Sequence, residues 1–311
     1  MRLRRCTNRS ASTGSEEDDG SAEPIGVTEE RATAAQDLLT GDPAGDPMLR
    51  SLKELEEYRV AATDGDVGRV VNFLFDDQRW AIRHLVVTTG GFFSERKVLI
   101  SPISFREVDW ATHLFHLALT KDNIRNSPTI DADQPVSRQR ENDYYQYYRY
   151  PHYWGYMGVW GTGYYPSMLA SAQSDARPEH ADRDAGDVHL RSVKDVCGYH
   201  VQGGDDAVGF IDDFIVDDET WEVRYFVVDT SHWWWGHRVL VAPHWASDIS
   251  WAQRKMFLNL SREAIKGSPS WDPTSVVRRE YEARVHDYYG LRGYWGETTK
   301  DAPSHLPTGG Q

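Results

Sequence analysis

An internal repeat constrains the fold of this chain more than any other feature of its sequence. The stretch Leu49–Val60 (LRSLKELEEYRV) returns as Leu190–Val201 (LRSVKDVCGYHV), and the offset between matching residues then stays constant without a gap. Further matches in the same register are Phe75–Thr89 with Val216–Thr230, Lys97–Pro102 with Arg238–Pro243, and Tyr153-Trp154-Gly155 with Tyr294-Trp295-Gly296. About a third of the paired positions are identical, so we interpret the chain as a duplicated domain.

Each copy has the pattern of β structure. In the first copy, Val67–Phe75 and Ile82–Thr89 are rich in branched apolar residues and flank a short DDQRW turn, which predicts a hairpin. Ser51 is expected to cap a helical turn, and Thr120 is expected to cap another that Pro128 prevents from continuing. Short strands separated by turn signals favour an all-β fold with two small β-barrels in tandem, each followed by a short helix and an aromatic-rich tail.

The repeat divides the chain into seven predicted segments. They are a disordered N-terminal arm (1–46), a first barrel (47–128) with its helical and aromatic tail (129–166), a linker (167–187), a second barrel (188–269) with its tail (270–296), and a disordered C-terminus (297–311). In the second tail, the i, i+4, i+7, i+8 spacing of Tyr281, Val285, Tyr288 and Tyr289 predicts a helix with these residues on one face. We expect the two copies to pack with approximate twofold symmetry, and the tails to cover one barrel or cross to the other.

The stretches SLKELEEYRVAATDGDVGRVVNFLFDD and DDETWEVRYFVVDT, followed by RVLVAP, resemble the PRC-barrel family. The tails PVSRQRENDYYQYY and REYEARVHDYYG are similar to the extension of bacterial tandem PRC-barrel proteins. The resemblance covers residues 48–155 and 188–296. It implies a small all-β barrel that acts by contacting a partner, as in the photosynthetic reaction-centre H subunit and in a ribosome maturation factor.

Composition limits the classes of partner. The formal net charge is -14, and this argues against direct DNA binding, which needs clustered Lys and Arg. The two cysteines, Cys6 and Cys197, lie far apart and favour a reducing compartment. The basic start lacks the apolar stretch of a signal peptide, and no apolar run has the length of a membrane span. We therefore expect a cytoplasmic protein, with attachment to the inner membrane through a partner left open.

The segment SHWWWGHRVLVAPHW contains three histidines, His232, His237 and His244. They could supply the three protein ligands of a zinc site only if the strand between them folds back correctly. The equivalent positions in the first copy are Gly91, Arg96 and Ile103, so the fold does not need ligands there. We therefore predict solvent-facing histidines and no metal, and keep metal binding as an alternative.

Aromatic residues in the same segment are the preferred interaction site. Trp233 and Trp234 correspond to Phe92 and Phe93, so both copies keep two large aromatic residues in a loop after a strand. Such rings can cap the end of a barrel or form a contact surface, since Trp, Tyr and Arg dominate interface hot spots. The predicted interaction residues are Trp233, Trp234, Trp235, Arg238, Phe92, Phe93, Tyr288 and Tyr289.

The remaining candidates point to structure. Adjacent residues on a strand face opposite sides, so the pairs Asp76-Asp77 and Asp217-Asp218 are predicted to shape turns, with Arg83 and Arg224 as ion-pair partners. Gly65, Gly68 and Gly209 are likewise assigned to turns and not to a dinucleotide fingerprint.

We therefore expect a non-enzymatic protein-interaction module without a cofactor. A membrane complex of electron-transfer type is one candidate partner, and contact between the barrels and self-association are others. A ribosome or RNA assembly factor and a metal-binding protein are the alternative functions.

Overall fold

The computed structural model describes residues 48–89, 96–128, 136–154, 158–170, 188–204, 206–230 and 237–296. The predicted N-terminal arm, most of the linker and the residues after Gly296 lie outside this part of the chain.

The described residues form fifteen strands, most of them short. They are β1 Leu49–Ser51, β2 Arg59–Ala62, β3 Gly65–Asp76, β4 Ala81–Thr89, β5 Arg96–Ile100, β6 Phe105–Asp109, β7 Leu114–Leu117, β8 Val136–Ser137, β9 Val188–Ser192, β10 His200–Gly203, β11 Asp206–Asp217, β12 Val223–Asp229, β13 Arg238–Val241, β14 Ala246–Ser250 and β15 Lys255–Leu258.

Short helices connect and follow these strands. They are α1 Leu52–Leu55, α2 Lys121–Arg125, α3 Arg138–Tyr148, α4 Pro166–Ala170, α5 Val193–Val196, α6 Arg262–Lys266 and α7 Arg279–Tyr289, with single 3-10 turns at Pro102–Ser104, Pro243–Trp245 and Tyr294–Gly296.

The strands form two mixed sheets with the same internal order. One runs β5-β4-β3-β2-β7-β6 and the other β13-β12-β11-β10-β15-β14. In each, a single parallel pair, β2 with β7 or β10 with β15, interrupts antiparallel pairing. A mainly β fold is therefore confirmed. The two closed barrels are not confirmed, because among the described residues neither sheet closes.

The copies exchange their first strands. β1, at the start of the first copy, pairs with β11 of the second sheet, while β9, at the start of the second copy, pairs with β3 of the first sheet. The registers are equivalent, since Leu49 lies opposite Asp217 and Leu190 lies opposite Asp76. Because each copy contributes a strand to the other sheet, the two sheets pack as one unit. The equivalent pairings indicate that an approximate twofold axis relates the copies.

Matched ion pairs hold the exchanged strands. Arg50 Nε lies 3.3 Å from Asp218 Oδ2, and Arg191 Nε lies 2.7 Å from Asp77 Oδ2. The two guanidinium groups also lie over tryptophan rings, Arg50 over Trp110 at 4.2 Å and Arg191 over Trp251 at 4.3 Å. Partly buried charges need such partners, so Asp77 and Asp218, the second aspartates of the two predicted Asp-Asp pairs, hold the exchanged strands.

The centre of the molecule has the same symmetry. The Ile82 N–H donates to the carbonyl oxygen of Trp221 at 2.8 Å, and the Val223 N–H donates to that of Trp80 at 2.6 Å. The ring of Trp80 packs against Phe226 of the other copy. Buried apolar residues of both copies therefore form one continuous core.

The first aspartate of each pair shapes its turn, as predicted. Asp76 Oδ1 accepts the N–H groups of Gln78 and Arg79, and its other oxygen lies 3.2 Å from Arg83 Nη2. Asp217 is bound in the same way, with Arg224 Nη2 at 2.8 Å. The arginine pairing predicted from the repeat is confirmed.

Two of the predicted helical caps are also confirmed. The Ser51 hydroxyl accepts the N–H of Glu54 at 3.2 Å, and Thr120 forms a capping box with Asn123 at the start of α2. Each side-chain cap satisfies an N–H group that has no partner within the helix, which explains why such short helices form.

Within the described residues, no helix has the length and apolar character needed to cross a bilayer.

The assignment of Gly68 and Gly209 to turns is wrong. Both lie inside long strands, where a Cβ atom would stand 1.8 Å from the Thr88 carbonyl oxygen or 2.0 Å from that of Asp229. The neighbouring backbone approaches so closely that only glycine fits.

We predict that Gly68→Ala and Gly209→Ala each lower the free energy of unfolding by about 1–3 kcal/mol or more, because the obstructing atoms belong to the backbone. Urea unfolding measures the change. The matched control is Gly163→Ala, whose Cβ would have its nearest neighbour at 3.5 Å and should change stability by less than about 0.5 kcal/mol. Equal effects in all three variants would contradict the close strand approach.

Candidate functional site

The helices of the two tails place a glutamate against the sheets. In α7 the most buried residues are Glu282, Val285 and His286, at i, i+3 and i+4. The predicted buried face of Tyr281, Val285, Tyr288 and Tyr289 is therefore partly wrong. Val285 is buried as expected, but Tyr288 is 44% exposed. Gly290, at a left-handed φ of 66°, ends the helix and turns the chain back toward it.

In the second copy, Glu282 collects three donors. Tyr225 and Tyr294 donate to Glu282 Oε1 at 2.8 Å and 3.0 Å, and Arg279 donates to Oε2 at 2.8 Å. His286 Nε2 lies 3.0 Å from the Tyr225 hydroxyl. We call these five residues the Glu282 cluster.

Tyr225 lies between Glu282 and His286, so its hydroxyl hydrogen can be donated to only one of them at a time. His286 Nδ1 lies 3.0 Å from the carbonyl oxygen of Arg292, which only accepts, so Nδ1 carries a hydrogen. If Tyr225 donates to the Glu282 carboxylate, its oxygen can only accept from His286, so Nε2 also carries a hydrogen. If Tyr225 donates to Nε2 instead, Glu282 carries the proton and donates to Tyr225. Burial raises the pKa of Glu282 and lowers that of His286, and both shifts favour the form with the proton on Glu282.

The first copy has an equivalent Glu141 cluster, made of Glu141, Tyr153, His84 and His189. Tyr153 donates to Glu141 Oε1 at 2.8 Å, and His189 Nε2 lies 3.0 Å from Oε2. His84 Nε2 is 3.7 Å from Oε1, too far for a hydrogen bond. His189 belongs to the exchanged strand β9, so the exchange helps to build this cluster.

A stacked arginine is common to both clusters. Arg83 lies 3.6 Å from the ring centroid of Tyr153, and Arg224 lies 4.1 Å from that of Tyr294. Each arginine is also bound to a turn aspartate, so an Asp-Arg-Tyr-Glu series joins the hairpin turn to the tail. The series fixes each tail on its sheet.

The two glutamates are buried, whereas His286 and Tyr294 of the Glu282 cluster line an open cleft described below. Glu141 is 0% exposed and Glu282 is 2% exposed. Within the described residues, no group of three or more His, Cys, Asp or Glu side chains is arranged to hold a metal ion. The hydrogen bonds of the clusters hold the tails against the sheets.

The predicted histidine site is only partly described. His232 lies outside the described residues. His237 borders β13, where its N–H donates to the hydroxyl of Thr230, and the exposed His244 packs against Trp245. The prediction of solvent-facing histidines holds for His244 but only in part for the half-buried His237, and the alternative of a metal site built from all three stays untested.

The predicted aromatic loops also lie outside the described residues, namely Phe92, Phe93, Trp233, Trp234 and Trp235. Arg238 is described, and it is bound to Asp212 at 2.9 Å. Tyr289 packs against Trp245, while the hydroxyl of the exposed Tyr288 donates to the carbonyl oxygen of Ala264. A contact role for these residues stays a prediction.

Beside the Glu282 cluster lies an open cleft of about 780 Å³. Residues that line it include His244, His286, Leu291, Arg292, Tyr294 and Trp295. Leu291 is 37% exposed and Trp295 is 36% exposed, so the cleft presents apolar surface to solvent. We call it the second-copy cleft.

The first copy has this surface covered. There α4 packs against the 3-10 turn Pro102–Ser104, and Gly161 lies against the backbone of Tyr153. As a result, Ile103 is 1% exposed where its equivalent His244 is exposed, and Tyr153 is 0% exposed where Tyr294 is half-buried. Among the described residues, the repeat thus offers the same surface with a covering helix in the first copy and without one in the second.

Sequence reasoning missed the two glutamates. A signal was present, because the glutamate is one of the few positions that the two helices share, together with the first arginine and the final Tyr-Tyr pair. An acidic residue in a polar helix is usually exposed, so the shared glutamate did not suggest a buried site.

A comparison of the sequence with models of known protein families found no match, and a comparison with curated proteins found none either. The function must therefore be inferred from the geometry.

We predict that His84→Tyr removes part of the acid sensitivity of the fold. Burial lowers the pKa of His84, so the unfolded chain takes up the proton more readily, and stability is lost as pH falls below about 6.5. Tyrosine is the residue at the equivalent position, 225, and does not titrate in this range.

Urea unfolding of both proteins at pH 8 and at pH 5.5 measures the effect. As pH falls, the free energy of unfolding of the variant should rise relative to that of the wild type, by at most about 1.4 kcal/mol per pH unit. Only the difference is informative, because Asp213 and Asp218, whose pKa values are raised by burial to about 6, titrate in both proteins. Parallel pH profiles would contradict the prediction.

Proposed function

We propose that this chain is a non-enzymatic interaction module of the PRC-barrel type, and that its second-copy cleft receives a short apolar segment of a protein partner. The observation that carries the proposal is the contrast between the copies. One surface is covered in the first copy, and its equivalent in the second copy is open and lined by Leu291, Tyr294 and Trp295.

The chemistry of the cleft supports a peptide ligand. Exposed aromatic and aliphatic side chains beside a concave surface are typical of sites that bind an apolar anchor. The cover of the first copy is itself a short helix that inserts Leu169, which is 4% exposed. A partner segment of similar size and apolar character would make equivalent contacts.

Burial of the ionisable clusters favours binding over catalysis. A substrate would need to reach Glu141 or Glu282, yet both are enclosed by the aromatic residues that they hold in place. Their hydrogen bonds explain how the tails keep their position, and a catalytic role is not needed to account for them.

The PRC-barrel resemblance suggests where such a module works. A cytoplasmic location, with the partner in a membrane complex of electron-transfer type, agrees with the relatives named by that resemblance. The net charge of -14 favours a partner protein over a nucleic acid.

Affinity capture from the source organism, followed by mass spectrometry, tests the proposal. The wild type should retain a specific partner that Leu291→Glu loses, because a charge in the cleft opposes burial of an apolar anchor. The matched control is Tyr164→Glu, which changes a residue that is 74% exposed outside the cleft and should keep the partner.

Circular dichroism must first show that both variants are folded. A variant that replaces Trp233, Trp234 and Trp235 by alanine separates the cleft from the loop. Retention of the partner by Leu291→Glu, or its loss only in the loop variant, would contradict the proposal for the cleft.

A further inference from the structure

The four-residue pattern of the helix that covers the first-copy surface occurs a second time in the chain. In the first copy, the Tyr-Trp-Gly sequence that ends at Gly155 is followed by Pro166-Ser167-Met168-Leu169. In the second copy, the Tyr-Trp-Gly sequence that ends at Gly296 is followed by Pro303-Ser304-His305-Leu306. The same motif thus follows each tail, with a connection that is shorter in the second copy.

The first copy shows which residues of the motif make contact. Pro166 and Leu169 are buried in α4, whereas Met168 is 54% exposed. The second motif keeps both buried residue types, as Pro303 and Leu306. It differs at the position that faces solvent, where His305 replaces methionine. Retention of the anchors with change at the outward position is the pattern expected of a docking segment.

The length of the connection is compatible with docking within one chain. Six residues, 297–302, separate Gly296 from Pro303 and can span up to about 20 Å when extended. Their starting point lies at the cleft, because Trp295 is one of its lining residues. Pro307 comes directly after Leu306 and would stop a longer helix, in agreement with the single turn formed by α4.

We propose that residues 303–306 bind the second-copy cleft of their own chain, with Pro303 and Leu306 as anchors over the turn Pro243–Trp245. A partner must then displace this segment to bind. The competition rests on the proposed function, whereas the docking itself does not.

A labelled peptide that spans residues 297–311 tests the docking. It is added to the full-length wild type and to full-length Leu306→Glu, and fluorescence anisotropy measures binding. The variant should bind the peptide at least about tenfold more tightly, because a short tether gives the wild-type segment a high effective concentration that excludes the peptide. His305→Glu is the matched control and should behave like the wild type.

Specificity for the cleft is tested with the double variant Leu291→Glu/Leu306→Glu, which should lose the peptide. A chain that ends at Gly296 should bind the peptide as Leu306→Glu does, which guards against misfolding of that variant. Equal binding to the wild type and to Leu306→Glu would overturn occupation of the cleft in the intact chain. Failure to bind any of these proteins would overturn the docking.

The outcomes separate this inference from the proposed function. Loss of a captured partner in Leu291→Glu, together with no peptide binding, would leave the proposed function standing and overturn the inference. Peptide binding with no captured partner would leave the inference standing and overturn the proposed function.

Discussion

The reciprocal exchange of β1 and β9 is the constraint on which the rest of the structure depends. Each copy gives its first strand to the sheet of the other, so neither sheet is complete without both copies. Strand pairing supplies backbone hydrogen bonds, and the pairs Arg50–Asp218 and Arg191–Asp77 fix the register at the exchanged edges. The same exchange brings His189 to Glu141, and so connects the centre of the molecule to a tail.

On this symmetric scaffold, function is expected where the copies differ. The clusters around Glu141 and Glu282 hold both tails in equivalent positions, but α4 covers only the first. The resulting cleft is lined by exposed Leu291 and Trp295 and by two histidines, and the sequence after it repeats the Pro-Ser-x-Leu pattern of α4. A duplicated domain can thus keep one copy for stability and use the equivalent surface of the other for binding.

Local features were predictable from the sequence, and non-local ones were not. The hairpin turns at Asp76 and Asp217 and the cap at Thr120 depend on neighbouring residues. The exchange could not be predicted, because β3 and β11 offer nearly equivalent edges to a three-residue strand such as β1. Gly68 and Glu141 were misjudged or missed for a related reason, since a close strand approach and a buried acid both depend on distant partners.

Disulfide trapping tests the exchange most directly. With Cys6 and Cys197 replaced by serine, Ser51→Cys is combined with Ile215→Cys, its partner across the exchanged pair, or with Leu74→Cys, the equivalent position in its own copy. Facing residues on paired strands lie close enough to form a disulfide on mild oxidation. The account predicts a disulfide within the monomer for 51 with 215 and none for 51 with 74. Efficient formation of the 51–74 disulfide, or of 51–215 only between two chains, would contradict it.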